Sequence, residues 1–252
     1  MASPRRSVDW ILTFDDGPLA ADLVTWSFDP RELLAPLNSI LATLRSYRAQ
    51  PLRAVFYLRG PGYPWMKDGL PVPPDAVFAE GLRAIAADGH VLALHCHSHD
   101  PDTYRRLLPK KSDVYADVDR AVQFFTQFGL PITKLFRPPY GGGGQEARSW
   151  ARDRGYRYHH WVLDSLDWLH HPDAIPPLFV NDPAGHLFHA CLNLRVQGTR
   201  ELLFGPRNKD VLFHVSQRTA THLREYLDAL TETTQAFGSQ PEFRVTSDYL
   251  RV

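Results

Sequence analysis

Short apolar runs separated by longer amphipathic stretches set the rhythm of the chain. Trp10–Phe14 (WILTF), Ala54–Leu58 (AVFYL), Val91–Leu94 (VLAL), Lys134–Phe136, Trp161–Leu163 and Val211–Phe213 each predict a strand, with a further one near Phe243–Thr246. These runs are continuous rather than alternating, as expected of parallel strands covered on both faces. Helices are predicted between them. Asp29-Pro30-Arg31-Glu32 reads as an N-cap with proline at the first position, followed by a stripe of Leu34, Leu37, Leu41 and Leu44 in which Pro36 implies a kink or a late start. Phe78, Leu82 and Ile85 share a face ahead of Gly89, and Tyr115, Val118, Val122 and Phe125 do so ahead of Gly129. Leu223, Leu227, Leu230 and Thr234 form the last stripe, closed by Gly238.

Strand–helix alternation with short links implies right-handed βαβ units, in an open sheet or a barrel. Asp15, Asp16, His95, Arg137, Asp164 and His214 each stand at or just after the end of a strand run. Five strands delivering ionisable groups to one place point to a barrel with its site at the carboxyl ends of the strands.

Composition narrows the classes without choosing one. With 252 residues, 44% hydrophobic and 22% charged, the chain is neither disordered nor fibrous and is read as one domain. Lys plus Arg and Asp plus Glu are each 28, so there is no bulk field to gather nucleic-acid phosphates. No apolar stretch reaches the ~18 residues of a membrane helix, and Met1–Asp9 does not lead into a signal-peptide core. That reads as a cytoplasmic protein or a leader-less form of an exported one. Two cysteines, Cys96 and Cys191, make no disulfide framework.

Three stretches carry candidate chemistry. Thr13-Phe14-Asp15-Asp16-Gly17-Pro18 sets two carboxylates where a strand breaks, which alone reads as an Asx-type turn. His95-Cys96-His97-Ser98-His99 places two imidazoles at i and i+4, on one face if the segment is a helical turn. One carboxylate and two imidazoles leave an open coordination position, the pattern of catalytic zinc. His97 is expected to point away, and Cys96 to be a small buried residue. Arg137-Pro138-Pro139-Tyr140-Gly141 is a proline-stiffened turn that holds the Tyr140 N–H in a defined direction. Asp164-Ser165-Leu166-Asp167-Trp168 and Leu212-Phe213-His214 are unremarkable in isolation.

In order and spacing, the five segments resemble the polysaccharide deacetylase family, carbohydrate esterase family four, which shares the deacetylase homology domain. Its motifs T-F-D-D-G-P, H-[ST]-x-x-H, R-x-P-[YF], D-x-x-D-W and L-x-H match Thr13–Pro18, His95–His99, Arg137–Tyr140, Asp164–Trp168 and Leu212–His214, over about residues 10 to 246. The resemblance implies a distorted (β/α) barrel of seven or eight parallel strands and a single catalytic domain over 1–252, with loop insertions near 19–50, 60–74 and 169–209. It implies one divalent metal on Asp16, His95 and His99, most simply Zn2+, with Co2+, Ni2+ or Fe2+ also suited to the donor set. Asp15 is then the general base, oriented by Arg137, and His214 the general acid, paired with Asp167. The Tyr140 N–H, in the turn made by Pro139, faces the oxyanion. Trp168 and Leu212 wall the acetyl pocket, and Asp164 belongs to the same substrate-binding group.

Two departures stand out: Cys96 replaces the usual serine or threonine, and Val215 follows the acid histidine where aspartate is common. Tyr63 and Trp65 lie in the second insertion, His170 and His171 in the third. The implied reaction is removal of acetyl groups from N-acetylated amino-sugar glycans such as chitin or peptidoglycan. Alternatives are a deacylase for a small intracellular N-acyl compound, an O-acetyl xylan esterase, or a non-catalytic glycan-binding module.

Overall fold

The computed structural model of the chain describes residues 7–20, 31–60, 75–168, 183–205 and 208–246. Strands β1 (Ser7–Gly17), β2 (Ala54–Arg59), β3 (Val91–Cys96), β4 (Ile132–Phe136), β5 (Arg157–Tyr158), β6 (Leu163–Asp164), β7 (Asn208–His214) and β8 (Gln240–Phe243) form one sheet. Its order is β5-β4-β3-β2-β1-β7-β6, with β8 added on β1, and every pairing is parallel. The helices are α1 (Ala35–Ser46), α2 (Asp75–Ala87), α3 (Pro101–Tyr104), α4 (Lys111–Thr126), α5 (Gly144–Asp153), α6 (Pro183–Phe204) and α7 (Gln217–Ala236). Among the described residues no helix is long and apolar enough to cross a membrane.

Curvature follows from the ends of that order. β5 and β6 lie at opposite ends of the path, yet only residues 159–162 separate them. A flat path of seven strands would hold its edges roughly 29 Å apart, at ~4.8 Å per strand. Five chain steps reach at most about 17 Å. The sheet therefore curls, and the segment between its edges bonds to both: the His159 N–H donates to the Phe136 carbonyl and the Val162 N–H to that of Asp210. The result is the expected distorted (β/α) barrel.

Strand parity then separates two layers. Phe14 stacks on Phe56 at 4.9 Å and on Phe213 at 5.5 Å, its register partners on β2 and β7, in the large core between sheet and helices. A smaller cluster of Ile11, Val55, Tyr57, Ala93 and Leu135 occupies the opposite face, the barrel interior. Stepping by two along each strand from that cluster reaches Thr13 and Asp15, Arg59, His95 and Arg137. All five are buried, so the interior turns from apolar to ionic at its carboxyl end.

The expected strands are present, except that the Trp161–Leu163 run meets β6 only at Leu163 and β8 lies three residues earlier than its sequence signal. Pro241 is tolerated there because β8 pairs only with β1. Pro36 falls in the first turn of α1, the late start its position implied. The segment 169–209 is not a loop throughout: 183–204 is helix α6, packed on α7. Asp29, Pro30, Tyr63, Trp65, His170 and His171 lie outside the described residues. The row of three phenylalanines yields a direct expectation. Phe14→Ala should lower unfolding free energy by about 3–5 kcal/mol, read from urea denaturation, and a loss under about 1 kcal/mol would contradict this packing.

Candidate active site

Adjacent carboxylates on a regular strand point to opposite faces. Here the pairing of β1 with β2 shifts register between Phe14 and Gly17, and Asp16 takes a left-handed φ of 67°. This irregularity re-aims the second carboxylate, so both Asp15 and Asp16 serve the same centre. A cis Gly17–Pro18 bond follows.

His95 and His99 reach that centre by a route their spacing did not foretell. The i,i+4 pair is not on a helical turn: His95 is the penultimate residue of β3 and His99 sits in the loop beyond it, left-handed at φ 54°. The ring centroids are 5.3 Å apart. The loop is braced by Asp117 of α4, a buried carboxylate that accepts from the N–H groups of His97 (3.1 Å) and Ser98 (2.9 Å) and from the Tyr104 hydroxyl (2.7 Å). His97 turns toward Phe124, and Cys96 is a free, buried thiol whose pKa burial pushes well up.

Three lone-pair atoms converge. Asp16 Oδ1 lies 3.5 Å from His95 Nε2 and 3.2 Å from His99 Nε2, and the three ligand atoms fall within 4.8 Å of one another. Burial pushes both imidazoles down to about 4, against the pull of the neighbouring carboxylates, so at neutral pH they are uncharged. His95 Nδ1 faces the Arg137 carbonyl at 2.6 Å, which places its proton there and leaves the Nε2 lone pair toward Asp16. Asp16 Oδ1 is buried with no hydrogen-bond partner. Burial raises the Asp16 pKa, but His99, Arg59, His95 and His214 outweigh it and hold the carboxyl below the usual range. A carboxylate oxygen that faces two neutral ring nitrogens with no hydrogen bond from either is a donor set a cation would complete. These residues thus fit a divalent metal with N and O donors.

Asp15 is held from the other side. Arg137, fully buried, donates from Nη1 to Asp15 Oδ1 (2.8 Å) and to Thr13 Oγ1 (2.7 Å), and its guanidinium stacks 4.1 Å over Tyr57. His214 is the register partner of Asp15 on β7. Its Nδ1 contacts Asp167 Oδ1 at 2.8 Å, while Asp167 Oδ2 accepts from the His214 N–H (2.6 Å) and the Thr219 hydroxyl. Burial pushes the His214 pKa down, but the Asp167 charge and hydrogen bond outweigh it and raise it to about 10. Burial likewise opposes, and His214 drives, the lowering of Asp167.

The remaining candidates line the rim. Tyr140 is left-handed at φ 58°, 43% exposed, with its ring 4.5 Å from that of His99 and its hydroxyl donating to the His99 carbonyl (3.2 Å). Its loop is pinned after buried Pro139, because a Cβ on Gly142 would meet the Tyr104 carbonyl. Trp168, 39% exposed, donates from Nε1 to both Asp164 oxygens (3.0 and 3.1 Å). Leu212 is buried beside Asp164 in register. The backbone N–H and C=O of Asp164 are fixed by Gln197 and Asn193 of α6. Three residues were missed from sequence: Asp117, Thr219 and Arg59, whose Nη1 lies 3.6 Å from Asp16 Oδ1. Arg59 was legible in principle, since Val55, Tyr57 and Arg59 share the inward parity of β2.

A curled parallel barrel thus holds an Asp-His-His cluster fit for a metal beside an ion-paired Asp15 and an ion-paired His214. The polysaccharide deacetylase family model matches residues 3–159, and the chain belongs to that family. It is 26% identical over 173 residues to a peptidoglycan-N-acetylglucosamine deacetylase of Bacillus cereus, covering 66% of this chain and 49% of that protein. The chain thus spans about half the length of this relative. Among solved structures, a family 4 carbohydrate esterase from Streptomyces lividans in complex with acetate aligns at TM-score 0.56 and 20% identity, over 95% of this chain and 93% of that one. The chitin deacetylase of Colletotrichum lindemuthianum aligns at TM-score 0.59 and 17% identity, over 94% and 86%.

Two outcomes follow from the bracing contacts. Asp117→Asn should weaken Zn2+ binding about 10–100-fold by calorimetric titration, whereas Tyr104→Phe, which leaves the bonds to the loop, should change it less than about threefold. For His214 the folded pKa is raised, so its stabilisation is complete below its unfolded value near 6.5 and lost as pH rises through about 10. In metal-free protein its imidazole NMR signals should therefore stay protonated through neutrality. Asp167→Asn should bring the pKa back to the ordinary range or below.

Proposed function

We propose that the chain is a divalent-metal-dependent deacetylase acting on N-acetylated amino-sugar glycans of the chitin or peptidoglycan type. The observation that carries this is Asp16 Oδ1, buried without a hydrogen bond and facing two neutral imidazole nitrogens. Asp15 with Arg137 and His214 with Asp167 stand beside it. Asp16, His95 and His99 would hold the metal, and Zn2+ suits one carboxylate and two imidazoles. When bound, such an ion polarises a carbonyl and acidifies water.

The chain's own groups supply the rest. Asp15, fixed in direction by the Arg137 hydrogen bond, accepts the proton of the water that attacks the acetyl carbon. Charge then builds on the acetyl oxygen, where the Tyr140 backbone N–H is the donor we assign. His214, an imidazolium at neutral pH through Asp167, gives its proton to the departing amine. Trp168, its indole tied to Asp164, and Leu212 enclose the acetyl methyl. The glycan deacetylases among the relatives support this substrate class over a small N-acyl compound or acetyl xylan.

The test is acetate release from acetylated chito-oligosaccharides and peptidoglycan, run beside acetyl xylan and small N-acyl amides. Asp15→Asn should cut turnover by about 10²–10⁴-fold, the usual contribution of a general base, while bound metal measured by mass spectrometry stays near wild type. Retained turnover in Asp15→Asn would remove the base assignment, and release from the small amides alone would remove the glycan.

A further inference from the structure

We propose that Arg59 is a resident counter-ion of Asp16 that competes with a divalent cation for the Asp16–His95–His99 cluster and so sets how tightly the cation is held. The inference rests on the metal-site reading above. Arg59 is the last residue of β2, 4% exposed, on the inward parity of Val55 and Tyr57. Its Nη1 approaches Asp16 Oδ1 to 3.6 Å, the same oxygen that His95 Nε2 and His99 Nε2 approach at 3.5 and 3.2 Å. One carboxylate oxygen thus serves both a permanent cation and the two metal-competent nitrogens.

Charge pairing at the centre makes the consequence specific. Asp15 pairs with Arg137, Asp167 with His214 and Asp16 with Arg59, so three carboxylates face three cations. Each of these three carboxylates thus faces a cation before any metal enters. A dication bound at Asp16 then meets the Arg59 charge, and without Arg59 that repulsion is gone. At these separations the repulsion lies well inside the ~8–10 Å screening length of physiological salt. A lysine or histidine in that place could shed its proton to admit the metal. A guanidinium does not deprotonate, so its opposition persists at every working pH.

The experiment is calorimetric titration of metal-free protein with Zn2+, with no glycan present. Arg59→Met, which keeps the apolar stem and removes the charge, should tighten Kd at least about tenfold, or about 1.4 kcal/mol. Arg59→Gln should tighten it in the same direction and serves if the methionine variant melts early. A Kd unchanged or weakened in a variant that melts like wild type overturns the proposal, as does wild-type protein that takes up no Zn2+. A measurement without variants accompanies it: the Arg59 guanidinium 15N resonance should shift on Zn2+ addition to wild type, and an unmoved resonance overturns the proposal. Failure of acetate release would remove the glycan reading and leave this one standing.

Discussion

Arg137 is the constraint on which the centre is built. Its guanidinium is fully buried, so its charge has to be met by neighbouring groups. It finds Thr13 and Asp15 on β1 and the face of Tyr57 on β2. Its carbonyl takes the His95 ring of β3, and its N–H donates to the Leu94 carbonyl. One residue at the end of β4 thereby fixes the direction of the general-base candidate and the tautomer of a metal-ligand candidate. Because all these contacts run across neighbouring strands, the curvature of the sheet and the geometry of the site are a single fact.

Strain is concentrated in the same place. Asp16, His99, Tyr140 and Leu166 are the four non-glycine residues with left-handed φ among the described residues, and each belongs to one of the five motifs. Such conformations cost of order 1–3 kcal/mol each and persist only where surroundings over-determine them. The surroundings are visible: Asp117 on the His95–His99 loop, the Tyr104 carbonyl against Gly142, and Asp164 capping the Leu166 N–H at 2.8 Å. Structural energy is thus diverted from the core to aim side chains, as expected where chemistry is carried on loops.

The legible and illegible parts of this molecule divide on physical grounds. Strands β1 to β4 and β7 announce themselves as apolar runs because both their faces are covered. The ligand and acid–base candidates were legible because they lie at the ends of those runs. Helix α6 was not: it buries Ala190 and Leu194 but exposes Phe188, Leu192 and Val196, so apolar residues on opposite faces blur its period. Helix α5 buries Ala147, Trp150 and Ala151 amid charges, too little for a stripe. β5 is two residues long. The His95–His99 spacing pointed to two rings that do converge, but through another geometry, since a strand end followed by a loop with a left-handed residue brings them together as a helical turn does. Asp117 and Thr219 carry no local signal, because their roles arise only when helices dock.

The topology also dictates an order of assembly. β1 lies at the centre, bonded to β2 along one edge and to β7 along the other, with β8 beside its first residues. It ends at Gly17, whereas β7 begins at Asn208. On a ribosome adding ~5–20 residues per second, that edge waits on the order of ten to forty seconds for its partner. Throughout that interval a nascent strand carrying Trp10, Ile11, Leu12 and Phe14 presents unpaired backbone, the arrangement that invites intermolecular pairing. Translation speed and chaperone capture of the early product should therefore govern how much soluble protein a cell obtains.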